Sequence, residues 1–109
     1  MSKPTYTVAE HTLTISGQYG VQIDLEGAAV THEFTRLPEA EMKTDGAAIG
    51  TIQKGTFQLN GTKVYLNIMD TNASDYLLIR DGEGYGYYIV CETPEETEAL
   101  YEEIMDQVG

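Results

Sequence analysis

The chain has no tryptophan, one cysteine, two phenylalanines and only six basic residues among its 109 positions. The lone cysteine, Cys91, excludes an intramolecular disulfide framework and suits a reducing compartment. No apolar run approaches the ~18 residues of a membrane-spanning helix; the longest are Tyr76–Ile79 and Tyr87–Cys91. Met1-Ser2-Lys3-Pro4-Thr5 lacks the apolar core of a secretion signal. The expectation is therefore a soluble, cytoplasmic protein.

The shortage of bases is the more telling absence. Eighteen acids leave a net charge of −12. Residues 1–66 hold seven acids and five bases, whereas residues 67–109 hold eleven acids and Arg80 alone. Such a field repels nucleic acid and anionic lipid, so neither is expected as a partner. Within residues 36–63, Arg36, Lys43, Lys54 and Lys63 outnumber Glu39, Glu41 and Asp45, and an anionic ligand is expected there if anywhere.

What is present reads mainly as β-structure. Asn60-Gly61 is the preferred two-residue hairpin turn, because both central positions need positive φ. It pairs Leu59 with Thr62, Gln58 with Lys63, Phe57 with Val64 and Gly55 with Leu66. Phe57, Leu59, Val64, Leu66 and Ile68 then share a core face, while Lys54, Gln58, Lys63, Tyr65 and Asn67 share a face assigned to solvent. A second hairpin joins Tyr76–Arg80 to Gly86–Cys91 through Asp81-Gly82-Glu83-Gly84-Tyr85, and a third joins Leu13–Ser16 to Val21–Leu25. Ala29–Thr35 is a weaker strand, Glu39–Gly46 reads as the longest loop, and Ala48–Leu59 as one long strand. Residues 1–10 are an N-terminal extension or an edge strand. The sum is about seven strands in one domain spanning 1–109, with its core in 11–108.

The end of the chain carries the one strong helix signal. Thr93 suits the N-cap, Pro94 the first helical position, and Glu96 the third position of a capping box. Glu95, Glu96 and Glu98 place negative charge at the positive end of the helix dipole. Leu100, Tyr101, Ile104, Met105 and Val108 form the apolar stripe of a helix running to Val108 that covers a sheet or barrel end.

Strands followed by one closing helix, together with particular residues, give a resemblance. The residues are Ile15-Ser16-Gly17-Gln18-Tyr19-Gly20, Leu37-Pro38, Lys43-Thr44-Asp45-Gly46, Lys54-Gly55-Thr56-Phe57-Gln58-Leu59, Lys63-Val64-Tyr65-Leu66, Tyr88-Ile89-Val90 and Glu95 to Ile104. Over residues 11–105 the chain resembles the bacterial pleckstrin-homology-like domains. The resemblance implies a barrel of two packed antiparallel sheets capped by the helix. It also implies a non-catalytic interaction module without a cofactor, recognising a protein or a small ligand. The basic strand–loop cluster of phosphoinositide-binding relatives is not found in this sequence.

Motifs for chemistry are sparse. Asp70-Thr71-Asn72-Ala73-Ser74-Asp75 with Asp81 is a weak match to a calcium loop, since Asp75 stands where the sharp-turn glycine belongs. Gly82-Glu83-Gly84-Tyr85-Gly86 is a hairpin turn, because a phosphate loop needs a following helix. His32-Glu33 fails as a zinc-protease motif, with Arg36 where histidine is required. His11 and His32 read as surface or edge-strand residues, and Cys91 as a buried, inert thiol. Tyr85, Tyr87 and Tyr88 suggest a recognition patch, and period two sends Tyr87 and Tyr88 to opposite faces. The binding candidates are thus Arg36, Lys43, Lys54, Lys63 and Tyr85, with no catalytic or metal residues. The alternative is self-association through an exposed strand edge, with a calcium-binding or enzymatic domain behind it.

Overall fold

The computed structural model describes residues 3–108. Nine strands are formed among these residues: β1 Tyr6–Ala9, β2 Thr12–Ile15, β3 Val21–Asp24, β4 Ala29–Glu33, β5 Met42–Ile49, β6 Ile52–Leu59, β7 Thr62–Ile68, β8 Tyr76–Arg80 and β9 Gly86–Val90. The helix α1, Pro94–Met105, follows. A mainly β chain with one C-terminal helix is what the patterning predicts. The described residues form nine strands rather than about seven, because β1 forms and the 42–59 stretch folds as two strands, and one pair, β7 with β9, is parallel rather than antiparallel. The strands form two sheets, a three-stranded meander β1-β2-β3 and a six-stranded sheet in the order β4-β8-β9-β7-β6-β5. Among the described residues no strand pairing joins the two sheets, so they do not close into one hydrogen-bonded barrel.

The hairpin over Asn60-Gly61 has the predicted register, with Leu59 opposite Thr62, Phe57 opposite Val64 and Gly55 opposite Leu66. Asn60 and Gly61 both take positive φ, 51° and 77°. The third hairpin forms between β2 and β3, and β1 adds the edge strand allowed for at the N-terminus. The central feature is less local: β9 runs parallel to β7 and antiparallel to β8, so the last strand fills the middle of the large sheet.

Two expectations are corrected between residues 39 and 59. The polar stretch from Glu39 contains strand from Met42 onward, and the proposed long strand Ala48–Leu59 is interrupted by a turn at Gly50-Thr51. The polarity arose because β5 is an edge strand whose Lys43, Thr44, Asp45, Ala48 and Ile49 are exposed, and pairing with β6 satisfies its backbone. The two strands approach unusually closely where Gly46 lies opposite Gly55. Gly55 has φ of 110°, and a Cβ there would lie 2.6 Å from Gly46 Cα and closer still to the Asp45 carbonyl oxygen. Only glycine fits this crossing.

The large sheet is covered on both faces. One face packs against the small sheet and the helix, uniting Leu13, Ile15, Ile23, Leu77, Ile89 and Leu100 in the principal core. The other buries Phe57, Leu59, Val64, Leu66 and Tyr88 beneath Leu37, Ala40 and Ala73, so the irregular segment 34–41 acts as a lid. The face assigned to solvent is therefore largely interior: Tyr65, Asn67 and Lys54 are all buried, the last two at 0% exposure. Alternation identified which side chains share a face, but not that a second sheet covers it.

Thr93 caps α1, its Oγ1 accepting from the Glu96 N–H at 3.2 Å, and Pro94 occupies the first turn. The helix ends at Met105 rather than Val108. Its buried residues are Thr97, Leu100 and Ile104, while Met105 is 43% exposed and lies off the stripe. No helix among the described residues is long and apolar enough to cross a membrane.

Candidate functional site

The strongest concentration of recognition chemistry is a groove of about 280 Å³ between the end of the small sheet and the large sheet. Its wall on the small-sheet side is Tyr19, Gly20 and Val21. The large sheet contributes Thr56, Tyr65 and Tyr87, and the turn between β8 and β9 adds Tyr85, with Asp45 and Gly55 beside them. Register explains the convergence: Thr56 of β6 lies opposite Tyr65 of β7, which lies beside Tyr87 of β9. Directly opposed residues share a face, so three adjacent strands present their side chains in one row.

Hydrogen bonds hold the parts in place. The Tyr65 hydroxyl donates to the Tyr19 carbonyl at 2.6 Å, tying the turn between β2 and β3 to the large sheet. Asp81 organises the opposite end. Its Oδ1 accepts from the Glu83 and Tyr85 N–H groups at 2.9 and 3.0 Å, and its Oδ2 accepts from the Tyr87 hydroxyl at 3.2 Å. Gly82-Glu83-Gly84 is accordingly a side-chain-capped hairpin turn. The Tyr85 and Tyr87 rings meet edge to face with centroids 5.0 Å apart, and Tyr65 lies 5.9 Å from Tyr87.

Burial pushes the Tyr65 phenol up to about 12. Burial, reinforced by the Asp81 charge, pushes Tyr87 up to about 12, and burial also raises Tyr85. Burial works to raise Asp81 as well, but the N–H groups of Tyr85 and Glu83 and the Tyr87 hydroxyl outweigh it and hold the carboxyl below its usual range. The groove thus offers neutral phenols, aromatic faces and one rim carboxylate. Its lining includes no imidazole, thiol or amine. These groups can bind through aromatic faces and hydrogen bonds.

Of the predicted candidates, Tyr85 stands in this groove, and the four basic residues do not. Arg36 is exposed, donates to Asn72 Oδ1 at 3.3 Å, and borders a cavity of about 520 Å³ beneath the 34–41 segment. Lys43 and Lys63 are exposed, but Lys43 lies opposite Phe57 while Lys63 lies opposite Gln58, which places them on opposite faces of the sheet. Lys54 is inside the protein. Its Nζ has no hydrogen-bond partner and lies 3.5 Å from where a Cβ on Gly17 would be. Across the strand pair, Asn67 donates from Nδ2 to the Tyr6 hydroxyl at 2.7 Å and leaves its Oδ1 without a partner. Burial lowers the Lys54 pKa.

Other expectations resolve individually. Cys91 is buried, and burial pushes its thiol up to about 11. Tyr88 is buried on the face opposite half-buried Tyr87, as period two requires. In the 70–75 segment, Asp70 Oδ1 accepts from the Asn72 N–H at 2.9 Å. Asp75 turns inward instead, where its Oδ2 lies 2.7 Å from His32 Nε2. This pair was missed because its members are 43 residues apart and share no spacing motif. His32 is on edge strand β4, as expected, but its side chain is 7% exposed and packs against Phe34 and Tyr101. No cluster of three histidine, cysteine or acidic side chains fit to hold a metal occurs among the described residues. No protein-family model, curated protein or solved structure matches this chain.

Proposed function

We propose that this is a non-catalytic interaction module, a pleckstrin-homology-like bacterial domain that recognises a protein partner through the tyrosine-lined groove. The observation that carries the reading is the convergence of Tyr19, Tyr65, Tyr85 and Tyr87 on one open groove. Tyrosine supplies contact area and a hydrogen-bonding tip with little rotamer entropy to lose, which is why it concentrates at binding surfaces. The mainly β class with two packed sheets and one C-terminal helix supports the reading at the level of fold class alone, since β9 pairs parallel with β7 and the sheets do not join into the antiparallel barrel that the resemblance implies. The test is affinity capture from the native cell with wild type and with Tyr85→Leu as paired baits. The expected result is a partner retained by wild type and lost with the variant; identical captures would remove the groove from the reading.

A second reading, self-association, has one observation in its favour. β5 leaves an eight-residue strand at the edge of the large sheet with its outer backbone unpaired by any strand among the described residues. Size-exclusion chromatography coupled to light scattering decides it. A monomer across a hundredfold concentration range counts against it.

A further inference from the structure

We infer that the groove seats the cationic side chain of a lysine or arginine presented by the partner protein. The inference rests on the interaction reading above and adds the chemistry of the occupant. Aromatic faces carry negative quadrupole density, and rings meeting at a steep angle form a corner into which a cation fits. Tyr85 and Tyr87 make such a corner, with rings inclined at 68°, and Tyr65 lies beside it.

Charge points the same way. Asp45 is the one charged residue in the groove's lining, and Asp81 lies immediately behind the Tyr87 hydroxyl. Lys54, on the same strand as Thr56, is the nearest cation in the sequence of β6. It does not line the groove; its ammonium is shut inside against Gly17. Beyond the groove, a net charge of −12 steers a basic partner toward the surface and repels an acidic one. A groove of about 280 Å³, open to solvent, suits the end of one long side chain rather than a whole folded element. A macromolecular source is favoured because eleven acids are distributed through residues 67–109, a charge that a small ligand seated in one groove does not meet.

The experiment is amide NMR titration of the full chain with a blocked pentapeptide carrying one central arginine. Its citrulline and glutamate counterparts, and tetramethylammonium chloride, are run in parallel. The expected result is shifts at Gly20, Val21, Thr56 and Tyr87 with the arginine peptide, and at least fivefold weaker binding of the citrulline peptide. Tyr85→Leu should weaken binding roughly three- to thirtyfold, while Tyr85→Phe, which keeps the ring, should retain it. Asp45→Asn, at the exposed rim and outside the core, should weaken binding and flatten its salt dependence. Equal binding of citrulline, or preference for glutamate, overturns the cationic occupant while leaving the groove an interaction site. Tetramethylammonium binding as tightly as the peptide overturns the protein source in favour of a small-molecule cation. If no probe shifts the groove, the inference fails, and the paired captures with Tyr85→Leu decide separately whether the interaction reading fails with it.

Discussion

Replacing Lys54 by methionine should stabilise this protein, although a buried, fully enclosed residue is changed. The lysine is 0% exposed and its Nζ has no hydrogen-bond partner. A buried polar group without a partner costs about 1–3 kcal/mol, and more when charged. Methionine keeps an unbranched chain of similar reach and removes the ammonium. The cover is thin on one side, since Nζ lies against Gly17 in an exposed turn, so the lower half of that range is expected. At roughly 2.1 cal/mol/K of unfolding entropy per residue, each kcal/mol moves the melting temperature by about 4 °C in a chain of this size. The Lys54→Met variant should therefore melt about 4–8 °C above wild type. The sign of the pH dependence follows from the same burial. The folded pKa lies below the ordinary 10.5, so between the two values the unfolded chain binds the extra proton. Wild-type stability relative to the variant then rises with pH across that window, and the gap between them narrows. Urea denaturation followed by circular dichroism at about pH 7 and about pH 10 measures both effects. A variant less stable than wild type, or a gap indifferent to pH, would refute the reasoning.

Two further outcomes test the fold itself. Gly55→Ala should cost at least about 3 kcal/mol, because it combines a φ of 110° with a collision against the backbone of Asp45 and Gly46. Gly61→Ala, with φ of 77° and open space around the new methyl, should cost only about 1 kcal/mol in the same urea series, and similar losses would discredit the close crossing. Cys91 has its pKa raised from 9.0 to about 11 by burial, so its contribution is intact below pH 9.0 and lost as pH rises through the folded value. Wild type should lose up to about 3 kcal/mol across that window, and Cys91→Ala should show a shallower decline in melting temperature; parallel curves would sink this assignment.

Local features were legible because their causes are local. Asn60-Gly61 demands positive φ, and with it the whole register from Leu59–Thr62 to Gly55–Leu66 follows. Thr93, Pro94 and Glu96 specify the helix start within four residues. The candidate site was legible only at Tyr85 and Tyr87, two of the three tyrosines of the expected recognition patch. Tyr19 and Tyr65 joined it through a turn and a strand separated by 46 residues in sequence, joined by one hydrogen bond. The 42–49 strand was hidden because an exposed edge strand needs no apolar alternation, and a polar composition then looks like a loop.

The division between the two kinds of information has a physical basis. Backbone stereochemistry, capping and side-chain period act over a few residues, so the chain itself determined the hairpins, the helix start, the mainly β class and the lopsided acidic charge. Burial depends on what lies on the other side of a face. Only the packing of β1–β3 over the large sheet decided that Lys54 and Asn67 are interior and that four scattered tyrosines border one groove, and only the pairing of β4 with β8 brought His32 to Asp75 across 43 residues.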